Sequence, residues 1–181
     1  MLNPVNEIIQ HRKDRAILKR TRFGFFQKIA TIGIVLVLLL SYVFGITTVH
    51  GVDMSPALKD GDIVFFVRLG HEHANGDILV YEQGGKDCVS RVGATAGDTL
   101  RKGTNGQIVF NERLHPMAPD EGLYYKTMAR DEIKYPITLD KGELFMLGDK
   151  RDTAEDSRSF GVISEKQVKG KVITFIRKRG L

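Results

Sequence analysis

The chain has a single cysteine, Cys88, which excludes an intrachain disulfide, so stability must come from a packed core and hydrogen bonds. Cys88 lies in an alternating, strand-like run, where a thiol behaves as a small buried hydrophobe and not as a nucleophile. Charge is absent from Ile29 to Val49. At about 1.5 Å per residue this run spans roughly 31 Å, the thickness of a hydrocarbon core. Net charge is absent beyond residue 28, where 20 basic and 20 acidic side chains cancel. The formal charge of +5 therefore resides in the N-terminal segment, where Arg12, Lys13, Arg15, Lys19, Arg20, Arg22 and Lys28 oppose only Glu7 and Asp14. With a neutral remainder the excess charge does not read as a groove for phosphates, and no nucleic-acid partner is expected. There is no internal repeat and no low-complexity linker.

A basic tail before an apolar run reads as topology. Three segments follow: a cytoplasmic basic segment at 1–28, a transmembrane helix at 29–49, and an extracytoplasmic domain at 50–181 whose first partner is membrane lipid. Ile8, Ile9, Ala16, Ile17 and Leu18 give the leader an amphipathic, helical cast. A cleaved secretory signal is the alternative. Against it stand the long basic region, an apolar run longer than a signal core, and the lack of a clean small-x-small site.

The extracytoplasmic segment is punctuated by Gly and Asp at regular spacing. Lys59-Asp60-Gly61 precedes Asp62–Val67, and Ala74-Asn75-Gly76-Asp77 precedes Ile78–Tyr81. Gly84-Gly85-Lys86-Asp87 leads into Cys88–Val92, and Gly97-Asp98 closes it. Gly103-Thr104-Asn105-Gly106 reads as a hairpin tip before Gln107–Phe110. Leu144–Leu147 and Lys171–Ile176 return as strands. Short strands between turn signals predict a mainly β domain of coiled antiparallel sheets. Residues 112–140 are less patterned and read as an insert or cap.

Four boxes carry the functional signal. The first is Gly51-Val52-Asp53-Met54-Ser55-Pro56-Ala57-Leu58 followed by Gly61-Asp62. The second is Asn75–Tyr81. The third runs from Ser90-Arg91-Val92 to Gly97-Asp98. The fourth is Leu147-Gly148-Asp149-Lys150-Arg151-Asp152-Thr153-Ala154-Glu155-Asp156-Ser157-Arg158-Ser159-Phe160-Gly161. In this order they resemble the type I signal peptidases. The resemblance implies a signal-peptidase-like β domain and a cleft for an extended peptide, with Gly51, Val52, Asp53, Met54, Pro56 and Ser90 as cleft candidates. It also implies a serine–lysine dyad, in which a lysine of lowered pKa takes the proton of a serine nucleophile. Asp53 stands at the serine's position and Ser90 at the lysine's, so no catalytic residue is intact. Ala154 stands where many members carry a serine that orients the lysine. Asp149, Arg151, Asp156, Ser157 and Arg158 are implied to be structural, the acids bracing the fold through Arg151 and Arg158.

Asp53 is a poor replacement for a serine. A carboxylate needs no base, but its adduct with an amide expels the carboxylate and collapses backwards. An aspartic-protease arrangement would need Asp149 or Asp156 as a partner sharing a proton, and a structural role for both is preferred. Lys86 lies on Ser90's strand parity, yet four residues separate them by roughly 13 Å. Arg91 points to the opposite face and does not deprotonate. Ser55 precedes Pro56 and reads as a turn residue. His71-Glu72-His73, with His115, is a weak metal pattern, His50 reads as interfacial, and neither metal nor cofactor is expected.

The chain is also similar to catalytically degenerate signal-peptidase-like proteins of Gram-positive bacteria, some of which accompany sortase-built pili. That implies a non-cleaving accessory or chaperone that binds an exported protein or pilin subunit, with sortase-linked machinery nearby. The competing expectations are a membrane-bound signal peptidase with atypical cleavage and a decayed paralogue without a role.

Overall fold

In the computed structural model the apolar run continues the N-terminal segment as one helix, α1 (Pro4–Val43). The structure describes residues 4–178 except 71, 105, 112–128 and 131, with side chains from residue 24 onward. Gly24–Val43 is long and apolar enough to cross a membrane. The helix ends six residues earlier than the sequence suggests, because residues 44–48 are a strand. Their Phe-Gly-Ile-Thr-Thr run favours a pleated backbone, and a partner strand is available to pair with it. The chain divides into two compact units between Tyr42 and Val43.

Among its described residues the second unit holds ten strands. They are β1 (Phe44–Thr48), β2 (Ile63–Val67), β3 (Ile78–Gln83), β4 (Lys86–Ala94), β5 (Thr99–Lys102), β6 (Ile108–Phe110), β7 (Ile137–Thr138), β8 (Glu143–Leu147), β9 (Ile163–Ser164) and β10 (Val168–Ile176). A short helix, α2 (Ser157–Phe160), follows β8. Seven strands form one sheet in the order β1-β2-β10-β3-β4-β8-β9, and three form another in the order β6-β5-β7. Each pairing is antiparallel. The expectation of a mainly β domain behind one N-terminal apolar helix holds. Residues 137–138 of the segment read as a cap belong to β7; residues 112–128 of it lie outside the described residues.

Alternation sorts the core onto the two faces of the large sheet. Val49, Met54, Leu58, Val64, Phe66 and Val80 pack on one side. Leu79, Tyr81, Val92, Leu144, Met146 and Ile163 pack on the other. A third cluster joins the end of β4 and β8 to the small sheet through Ala94, Leu100, Phe110, Phe145 and Leu147. The register slips between Val92, opposite Met146, and Ala94, opposite Phe145. That bulge turns Ala94 to the other face and so feeds a different cluster. Gly93 sits at the slip, where a Cβ would run into the side chain of Leu147.

The fourth box closes the end of β8 around a buried ion pair. Asp156 is 0% exposed and Arg158 1%. Arg158 Nε donates to Asp156 Oδ1 and its Nη2 to Oδ2, both at 2.8 Å. Asp156 also caps α2 by accepting from the Arg158 amide at 3.1 Å, and it accepts from the Gly148 amide at 3.0 Å. Removing one partner of such a pair leaves a buried charge alone. Asp156→Ala should therefore cost ~3–5 kcal/mol of stability, and Asp152→Ala, at an exposed site, much less. Urea unfolding of the detergent-solubilised chain, followed by the circular dichroism of its strands, measures both; equal midpoints would remove the pair from its supporting role.

Candidate functional site

The first box is a chain of turns pinned at both ends. Gly51 adopts φ +83°, and its amide donates to Asp60 Oδ1 at 2.8 Å. The Ser55 amide donates to Val52 O and the Leu58 amide to Met54 O. Met54 and Leu58, each 1% exposed, anchor the turn in the core, which leaves Val52 and Pro56 outward. Ser55 is a turn residue as expected, and its bond to Pro56 is cis. The C-terminal end of β10 clamps the same loop. Arg177 Nη2 donates to Ala57 O at 2.9 Å, and Asp62 accepts from the amides of Lys59 and Lys178.

Asp53 is held against the fourth box. Its carbonyl accepts from the Lys150 amide at 2.8 Å. Its carboxylate accepts from the Glu155 amide. Gly148 permits this approach, since a Cβ there would meet both Asp53 O and the buried Ala154 side chain. Half-burial pushes the Asp53 carboxyl above its ordinary pKa; the Glu155 amide opposes this, Asp156 and Glu155 add to it, and Lys150 opposes it.

Ser90 lies in β4 opposite Leu79 and is 3% exposed. Its Oγ is 3.1 Å from the hydroxyl of Tyr81, itself 1% exposed. Burial pushes the Tyr81 phenol up; the hydrogen bond to Ser90 opposes this, and Cys88, Asp156 and Asp53 add to it. Cys88, opposite Tyr81, is half-buried, and burial, then Asp53, raises its thiol. One local field thus joins Asp53, Tyr81, Cys88 and Asp156.

The remaining fourth-box residues are structural contacts. Arg91 Nε and Nη2 grip Asp149 at 2.8 Å each, and Arg91 Nη1 donates to Gly76 O. Asp149 is thus held in bidentate fashion by Arg91 of the third box, a contact the sequence did not point to. Arg151 Nε donates to Gly148 O at 2.7 Å. Ser157 Oγ accepts from the Met146 amide at 2.9 Å. Lys86 is exposed at the hairpin end of β4, opposite Gln83, and His50 is exposed. His71 and His115 lie outside the described residues, among which no three His, Cys, Asp or Glu side chains converge on a metal position. Tyr81 is the participant the sequence reading missed. Its signal was available, because strand parity across the Gly84-Gly85 turn puts Tyr81 on the face of Ser90.

The family described as "Signal peptidase, peptidase S26" matches residues 22–176. The chain belongs to this signal peptidase family. As a member it is 26% identical over 171 residues to signal peptidase IB of Staphylococcus aureus (strain MW2), covering 86% of this chain and 89% of that one. It is 29% identical over 142 residues to signal peptidase I of Bacillus caldolyticus, covering 72% of this chain and 78% of that one. A crystal structure of a signal peptidase I from Enterococcus faecalis V583 aligns with TM-score 0.41 and 20% identity, over 57% of this chain and 97% of that one. An N-terminal apolar helix in a signal peptidase family member indicates membrane anchoring.

The raised Asp53 fixes a sign. Where folding raises a carboxyl pKa, the folded state resists ionisation, and stability falls as pH rises through the interval between the unfolded and folded values. Asp53→Asn in this signal peptidase relative should therefore be more stable than the parent at neutral pH. The gap should close as pH drops below the unfolded value of about 3.9. Denaturation at the two pH values measures it; a destabilised Asn variant at neutral pH contradicts the assignment.

Proposed function

We propose that this protein is a membrane-anchored member of the signal peptidase family that holds an extended exported peptide without cutting it. The observation that carries the reading is the pair of side chains at the first and third boxes. Read against the family's motif, Asp53 takes the place of the nucleophile and Ser90 that of the general base. The Ser90 hydroxyl is engaged by Tyr81 inside an apolar cluster. A neutral serine hydroxyl is no base near neutral pH, and burial keeps the Tyr81 phenol beside it protonated, so neither takes a nucleophile's proton. On the family's motif an ionised Asp53 would stand beside the developing oxyanion, and like charge opposes that step.

The same features suit capture. Asp53 ionises against burial and two neighbouring carboxyls, so a lysine or amino terminus brought to it relieves an unfavourable charge. Such a contact is worth ~1–3 kcal/mol where desolvation is compensated. The basic leader supports an N-terminus inside and a β domain outside. Phe44 and Asp53 are nine residues apart, at most ~30 Å of chain, so the site meets segments that have just crossed the membrane. The client is an exported surface protein, and the resemblance to pilus-associated relatives points to a pilin subunit of a sortase-built pilus. Family membership favours a second reading, a membrane-bound peptidase with atypical cleavage.

Incubating the lipid-embedded full chain with a pre-pilin or generic signal-peptide substrate separates the two. Capture predicts co-purification of an intact client and no new N-terminus by mass spectrometry. A defined cleavage product that disappears in Asp53→Ala would establish the peptidase instead.

A further inference from the structure

The fourth box grips Asp53 with both ends of one turn. From Lys150 to Ala154 the chain closes on itself, and Lys150 O accepts from the amides of Thr153 and Ala154 at 3.2 and 2.9 Å. Ala154 is 0% exposed and seats this turn on the core. At one end Lys150 donates its amide to the Asp53 carbonyl. At the other Glu155 donates its amide to the Asp53 carboxylate. Both contacts come from the backbone, so residues 150 and 155 keep their places beside Asp53 whatever side chains they carry.

Those two side chains are exposed and opposite in charge. Asp156 is also within electrostatic reach of Asp53, but it is buried in its ion pair with Arg158 and does not meet a ligand. After burial, the Glu155 amide and Asp156, the Glu155 carboxylate opposes ionisation of Asp53 and Lys150 favours it. Both exposed charges are therefore felt where a client cation would sit. An extended peptide places the side chains of one face about 7 Å apart, at i and i+2. With a lysine on Asp53, an acid two residues away is attracted if it falls toward Lys150 and repelled if it falls toward Glu155. A bound strand has a fixed direction, so only one order of acid and lysine satisfies the rim.

We infer that Lys150 and Glu155 set the charge order of the client, whose lysine meets Asp53 while its neighbouring acid lies on the Lys150 side. This deepens the capture reading and rests on it. Discrimination by exposed charges is modest, about two- to five-fold for one misplaced acid, and salt screens it.

The test titrates the full chain, in phosphatidylcholine nanodiscs, with a pair of labelled peptides of one composition. Both are neutral and extended apart from a central Glu-Ala-Lys in the first and Lys-Ala-Glu in the second. The charge-swapped variant, Lys150→Glu with Glu155→Lys, keeps the parent's net charge and both backbone contacts. The parent should prefer one order by about two- to five-fold and the swapped chain the other by a similar factor. High salt should shrink both preferences. Lys150→Gln and Glu155→Gln, each losing one side of the rim, should weaken the preference without reversing it. Equal affinity of the parent for the two orders overturns the inference and leaves capture standing. A preference that survives the swap or high salt unchanged does the same, because it then arises away from this rim. Undiminished binding of peptides with norleucine for lysine shows that no cation sits on Asp53 and overturns the charge order. Failure of the parent to bind any of the peptides removes capture itself, and the charge order with it.

Discussion

The site depends on the carboxylate of Asp156. Buried without solvent, it accepts from Gly148 and Arg158 and caps α2, so its oxygens are used at several angles at once. That fixes the segment from Gly148 to Arg158, and this segment in turn holds both the carbonyl and the carboxylate of Asp53. A buried charge so fully hydrogen-bonded is costly to disturb, which makes the surrounding geometry rigid. Arg91 extends the brace to β4, tying the strand of Ser90 to the loop of Asp53 through Asp149. The framework around Asp53 and Ser90 is thus maintained by side chains other than those two.

This separation explains how chemistry can be exchanged while the fold is kept. None of the bonds that shape the site requires a serine at 53 or a lysine at 90. Asp53 is held partly by its own backbone carbonyl, a contact indifferent to the side chain. Ser90 fits because Tyr81 supplies the hydrogen bond that a buried hydroxyl needs. Asp156 and Glu155 both oppose ionisation of Asp53, which on the proposed reading favours a bound cation there.

The strands were legible where turn chemistry and alternation agreed. Asp60-Gly61 before β2, Gly76-Asp77 before β3 and Gly84-Gly85 between β3 and β4 each mark a real strand boundary. The exit of α1 was not legible, because Phe44-Gly45-Ile46 is as apolar as the helix before it; only pairing with β2 makes it a strand. Motif spacing named Asp53 and Ser90 as candidates; it named none of their partners. Arg91 with Asp149 and the Glu155 amide with Asp53 join residues 58 and 102 apart in the chain, and pattern reading carries no information on such pairings. Tyr81 is the intermediate case: parity alone places it beside Ser90, but only the structure shows the two hydroxyls in contact.

The central claim is that no side chain at the first or third box is able to attack a carbonyl. Its most direct test is acylation by a chemically activated ester of an extended, membrane-proximal peptide. Full-length protein in lipid would be incubated with the ester, and residues 51–58 and 86–94 mapped by mass spectrometry. The account predicts unmodified Asp53, Ser55 and Ser90 while the peptide remains bound. An acyl group on any of the three would contradict it.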